Sequence, residues 1–148
     1  LSWANESVSR KNIQEFCNRF SKLVKQSIID SEWIPGFLEF ITNHHNTKKH
    51  VLVTATPLQE MHEILHELNI EQFFYRIYGA PDKKSEAISE TLTLLKTKPE
   101  HAIMLGDSEC DFLAAKKNKV LFFLRMTDLN TSMHYLCKNY MFKDYLDE

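Results

Sequence analysis

Ala102-Ile103-Met104-Leu105-Gly106-Asp107-Ser108-Glu109-Cys110-Asp111 is the stretch on which the fold turns. Its four leading apolar residues are too few for a helix and are closed by a glycine, so residues 102–105 are predicted to form a buried β-strand. Gly106 permits a sharp turn out of that strand, and residues 110–117 are predicted to be helical. Asp107 then sits at the strand tip, with Asp111 about one helical turn later. Two carboxylates so placed repel unless a cation or a lysine lies between them. Mg²⁺ takes such hard oxygen ligands. The plainer alternative is a helix N-cap followed by a surface acid.

The same order recurs upstream. Val51-Leu52-Val53 is a short β-branched run, and Thr54-Ala55-Thr56-Pro57 follows it, with Pro57 starting a helix whose inner face is Met61, Ile64, Leu65 and Leu68. A hydroxyl at a strand end, followed by backbone N–H groups entering a helix, suits an anionic oxygen; otherwise Thr54 caps the helix. A third strand, Arg76-Ile77-Tyr78, ends at Gly79 and leads through Ala80-Pro81-Asp82-Lys83 to Lys84. There a helix over residues 84–95 begins, with Ala87, Ile88, Thr91, Leu92 and Leu95 on one stripe. A lysine at a helix start faces the wrong end of the dipole. A phosphate or a carboxylate cluster would account for it, and the alternative is a solvated lysine pair.

Residues 120–124 read as the last strand, and a C-terminal helix is predicted from Ser132. Alternating strands and helices predict an α/β fold with a parallel sheet covered on both faces. Ligands bind such sheets at the carboxyl ends of the strands. At the N-terminal side, residues 11–29 carry Ile13, Phe16, Phe20, Leu23, Val24 and Ile28 at helical spacing. A break follows over residues 30–36, and Pro35 opens a second helix that ends in the polar run 43–49.

Composition narrows the function. The chain has 148 residues, 43% hydrophobic and 26% charged, which fits one domain with a real core. A net charge of −2 gives no electrostatic footprint for nucleic acid or an anionic membrane. No run approaches the ~20 apolar residues of a membrane span. Three separated cysteines, Cys17, Cys110 and Cys137, suggest neither a metal site nor a disulfide framework and point to a reduced, cytoplasmic setting. The chain opens on Leu1 without a leader and is read as part of a longer one. His62-Glu63-Ile64-Leu65-His66 matches a zinc-protease pattern. Asn69 and Gln72 stand where its extended form needs Gly and His, and both histidines flank the apolar face, so the match is read as chance. His44 and His45 are given no role.

Taken together, residues 33–125 resemble the haloacid dehalogenase-like hydrolase superfamily, most nearly its phosphatases. Val51-Leu52-Val53-Thr54 resembles the second motif and Lys84 the third-motif lysine. Leu105-Gly106-Asp107-Ser108-x-x-Asp111 resembles the fourth. The resemblance implies a Rossmann-like parallel sheet with a partial helical cap over residues 1–34 and a core over residues 35–148. It implies a Mg²⁺-dependent hydrolase that cleaves a small phosphomonoester through an aspartyl-phosphate. Thr54 and the Ala55 N–H would hold phosphoryl oxygens, and Lys84 would neutralise charge. Asp107 would bind Mg²⁺, with Asp111 as a further ligand or an orienting acid.

The first motif, Asp-x-Asp after an apolar strand, occurs nowhere in this chain. The nucleophile is therefore expected outside it, on a strand lying between those of Val51 and Ala102. These 148 residues alone are expected to be inactive and to leave two half-sheets. The alternative is a non-catalytic binding or regulatory module on the same scaffold. A true dehalogenase is disfavoured, because those enzymes lack the arrangement of Gly106, Asp107 and Asp111.

Overall fold

In the computed structural model, residues 10–146 are described, and the chain divides into two compact units, residues 1–32 and residues 33–148. In the first unit, α1 (Arg10–Ile29) forms where the apolar spacing asks for it. Its stripe stays open: Phe16 and Leu23 are 70% and 71% exposed, and no residue of the helix is buried.

The second unit begins with α2 (Phe37–His44), entered through Gly36 at φ +78°. That left-handed backbone suits glycine. A Cβ there would also lie 2.6 Å from the Tyr145 backbone, so the C-terminal segment packs directly on this turn. The Tyr145 N–H donates to the Pro35 carbonyl, and its ring meets Phe37, Phe40 and Phe142. Burial pushes the Tyr145 phenol pKa up, with Arg125 opposing the shift.

Strand and helix then alternate through β1 (Val51–Pro57), α3 (Leu58–Glu67), β2 (Arg76–Ala80), α4 (Lys84–Leu94), β3 (Ile103–Gly106), α5 (Glu109–Lys117) and β4 (Leu121–Arg125). All pairings are parallel, in a Rossmann-like order. β1 pairs with β2, Val53 opposite Tyr78, with an irregularity before Pro57. β3 pairs with β4, Gly106 opposite Leu124. The main core lies on one side of β3 and β4, where Ile88, Ala114, Ala115, Phe122, Leu124 and Cys137 cluster.

The two half-sheets expected from the sequence are present: among the described residues the strands form β1-β2 and β3-β4-β5, and β1 and β3 do not pair. Other expectations change. β3 is not a buried strand: Ile103 is 61% and Leu105 41% exposed. Alternation turns Met104 to the core and those two residues away from it, and among the described residues the second edge of β3 carries no strand. The sheet is thus not covered on both faces. The C-terminal helix shortens to α6 (His134–Cys137), and the chain then adds β5 (Met141–Phe142) beside β4. Two residues are too few to show a period-two pattern, so the sequence carried no signal for β5. β1 runs four residues past Val53, to Pro57.

Among the described residues, no helix is long and apolar enough to cross a membrane. The three cysteines are free thiols.

Candidate active site

Gly106 is needed here for space. A Cβ on it would lie 2.6 Å from the Asp111 Cβ and 2.7 Å from its Oδ2, and its φ is not positive. The expected sharp turn is therefore not what selects glycine. The missing side chain lets the Asp111 carboxylate press against the end of β3. Asp111 is 6% exposed, so its charge needs partners. Ser108 caps α5 and supplies two: its N–H and Oγ donate to Oδ2 at 3.2 and 2.8 Å. In return the Ser108 Oγ accepts the Asp111 N–H at 3.3 Å, closing a capping box.

The third partner is Lys84, whose Nζ lies 2.6 Å from Asp111 Oδ1. The lysine at the unfavourable end of the α4 dipole is thus held by a carboxylate 27 residues on. Its neighbour Lys83 points to solvent, 78% exposed, 3.7 Å from Glu86. Asp107 stands exposed at the tip of β3, and its carboxylate has no hydrogen bond or ion pair among the described residues.

Thr54 lies in β1, in the other sheet. Its Oγ1 accepts the Thr56 N–H at 3.1 Å and donates to Thr56 Oγ1 at 3.2 Å. It does not cap α3, whose N-cap is Pro57 without a side-chain bond. Ala55 is exposed beside it. Among the described site candidates, the side chains brought into hydrogen-bond contact are those of Lys84 and Asp111.

Ser108 and Asn130 went unrecognised as site residues. Ser108 had a signal, since Ser-x-x-Asp before a helix is a near capping box. Asn130, whose Nδ2 donates to the Asp107 carbonyl at 2.9 Å, had none: that partner lies 23 residues away, while its bonds to Arg125, Thr127 and His134 are local.

The carboxylates present do not by themselves make a Mg²⁺ site. Asp107 offers one free ligand, both Asp111 oxygens are engaged, and no cluster of three or more His, Cys, Asp or Glu among the described residues could hold a metal ion. A cavity of about 530 Å³ lies elsewhere, along the outer side of β2, and contains none of these residues. His62 lines it with its Nδ1 2.6 Å from Glu71 Oε1. That pairing gives the first histidine of the protease-like pattern a structural partner.

The parallel α/β fold, with polar side chains at the carboxyl ends of β1 and β3 and a lysine leading the intervening α4, defines a class of proteins that bind ligands along that rim. A family profile described as haloacid dehalogenase-like hydrolase matches residues 2–124, so the chain belongs to that family. No match was found among curated proteins.

Solved structures share the fold. A predicted phosphoglycolate phosphatase from Haemophilus somnus aligns with a TM-score of 0.77 and 16% identity, over 94% of this chain and 66% of its own. A candidate β-phosphoglucomutase from Thermotoga maritima gives 0.74 and 22%, over 89% and 66%. Against a haloacid dehalogenase-like family hydrolase from Streptococcus pneumoniae the values are 0.65 and 18%, over 84% of this chain. The chain spans 60% of the length of that relative.

Proposed function

We propose that this chain carries the phosphate-binding side of a phosphomonoester hydrolase whose nucleophilic carboxylate lies outside these residues. The observation that supports it most is the buried Lys84–Asp111 pair beside the exposed carboxylate of Asp107. A lysine drawn against its helix dipole and locked by a buried acid is a fixed positive charge. Such preorganised charge is what transferring a phosphoryl group requires. Likeness to a predicted phosphoglycolate phosphatase agrees with this reading.

In the proposed chemistry, an Asp on a strand between β1 and β3 attacks phosphorus and displaces the alcohol. Water then hydrolyses the aspartyl-phosphate. Thr54 Oγ1 and the Ala55 N–H hold non-bridging oxygens, and Lys84 offsets their charge. Asp111 orients Lys84. Asp107 is the residue left free to meet Mg²⁺, the cofactor expected of the complete protein, and no step is assigned to the ion. The substrate class is a small phosphorylated molecule, in the cytoplasm. The residue division into a cap segment (1–34) and a core (35–148) belongs to the same proposal.

The unpaired edges of β1 and β3 also favour a second reading, in which the chain alone is a non-catalytic module. Hydrolysis of p-nitrophenyl phosphate with Mg²⁺ tests both, with and without an apolar Asp-x-Asp strand peptide. Turnover that needs the peptide and falls about a hundredfold in Lys84→Ala supports the hydrolase. No turnover in either case favours the module, and turnover by the chain alone contradicts both.

A further inference from the structure

We propose that the free edge of β2 is a docking groove for an extended, lysine- or arginine-bearing segment of a partner protein, which pairs with it as an added strand. The observation that carries this is the cavity of about 530 Å³ along β2, away from the proposed phosphate rim. Arg76, Ile77 and Tyr78, three consecutive residues of the strand, all line it. Successive side chains of a strand point to opposite faces, so a pocket on one face would meet only every second residue. A cavity that all three line follows the edge of the strand and opens onto both faces. β2 pairs with β1 on its other side, and among the described residues no strand covers this edge.

The contacts of β2 identify the two walls. Arg76 reaches Glu90 of α4 at 2.8 Å, and its guanidinium lies 5.2 Å from the centre of the Tyr78 ring. Gly79 faces α3, since a Cβ on it would lie 2.7 Å from the Leu58 backbone. Leu58 and His62 of α3 line the cavity on that side. An extended chain laid along the edge meets both walls with alternate side chains, while its backbone meets the open donors and acceptors of β2.

Charge selects the occupant. Glu71, Asp82 and Glu90 stand against one arginine and one histidine, so the lining is negative whether or not His62 carries a proton. Glu90 is paired with Arg76, and Glu71 with His62 at 2.6 Å. The Asp82 carboxylate, exposed just past the end of β2, has no hydrogen bond or ion pair among the described residues. It is the group left to take a cation from the partner. A second copy of this chain fits worse, because two such edges would set their carboxylates against one another.

The test is NMR on the full 148-residue chain, with the peptide acetyl-Lys-Val-Lys-Val-Lys-amide as the probe. Adding it should shift the signals of residues 76–78 and of Asp82, and should slow hydrogen exchange at amides of β2. Asp82→Asn should weaken its binding about threefold. The peptide with glutamate in place of lysine should not bind. Nor should the lysine peptide N-methylated at every peptide bond, which has no N–H left to extend a sheet. Equal binding of the N-methylated peptide overturns strand addition, and equal binding of the glutamate peptide overturns selection by charge. Butylammonium giving the same shifts would make the groove a pocket for small cations and overturn the partner. No shift along β2 with the lysine peptide overturns the proposal outright, and each of these results leaves the phosphate reading untouched.

Discussion

Lys84 and Asp111 illustrate how a site residue can be read from sequence by what it violates. A lysine opening a helix is misplaced against the dipole, and the structure supplies the buried carboxylate that compensates for it. The pair makes a stability prediction apart from catalysis. Lys84→Ala strands a buried charge and should cost about 2–4 kcal/mol in urea unfolding. Lys83→Ala, at an exposed pair, should stay within about 0.5 kcal/mol. A reversed ranking would mean that Lys83 is the anchored lysine. Asn130 marks the limit of this kind of reading, since nothing in its local sequence distinguishes it from a turn asparagine.

His50 adds a pH dependence. Its pKa is lowered from 6.5, first by burial and then by His44, His45 and Lys48. The unfolded chain therefore takes up a proton near pH 6.5 that the folded chain refuses until lower pH. This contribution is constant above that range and is lost as pH falls through it toward the lowered folded value. The urea midpoint of the wild type should drop between about pH 7 and pH 5.5, and by less in His50→Gln. An identical drop in both would remove His50 from the explanation.

At the scale of elements, α3 and α4 were legible from their apolar stripes, and α5 from the glycine turn that ends the strand before it. The β-strands were legible as short apolar runs, but their burial was not. An apolar run such as residues 103–105 reads as core wherever it lies, and only the finished sheet shows that β3 has one empty edge. The C-terminal region was misread because its aromatic residues serve a cluster around Tyr145, which no helical period encodes. Gly36 joins that cluster to α2. Gly36→Ala would combine a positive φ with a Cβ 2.6 Å from backbone, so a loss of about 2–4 kcal/mol is expected. Thermal unfolding measures it, and an unchanged midpoint would show that the Tyr145 segment yields freely.

Across the whole molecule, order along the chain was readable: three strand ends, each followed by a helix, carry the residues that resemble family motifs. The separation into two half-sheets was readable as well, from the missing strand; the hydrogen bonding that engages both Asp111 oxygens was not, because only the folded chain shows it. Without the first-motif carboxylates, and with no group of three or more possible ligands among the described residues, a cation should bind only weakly. Calorimetry with Mg²⁺ is expected to give millimolar affinity or none, and micromolar binding would mean that other residues complete the site.

If the carboxyl ends of β1 and β3 and Lys84 receive a phosphoryl group as proposed, inorganic phosphate should bind there. This is tested most directly by following backbone and lysine side-chain NMR signals as inorganic phosphate is added with Mg²⁺. Shifts are expected to concentrate at Thr54, Ala55, Thr56 and the Lys84 ammonium, and to be lost in Lys84→Ala. Shifts confined to the cavity lined by His62 and Glu71, or none at the strand ends at saturating phosphate, would contradict it.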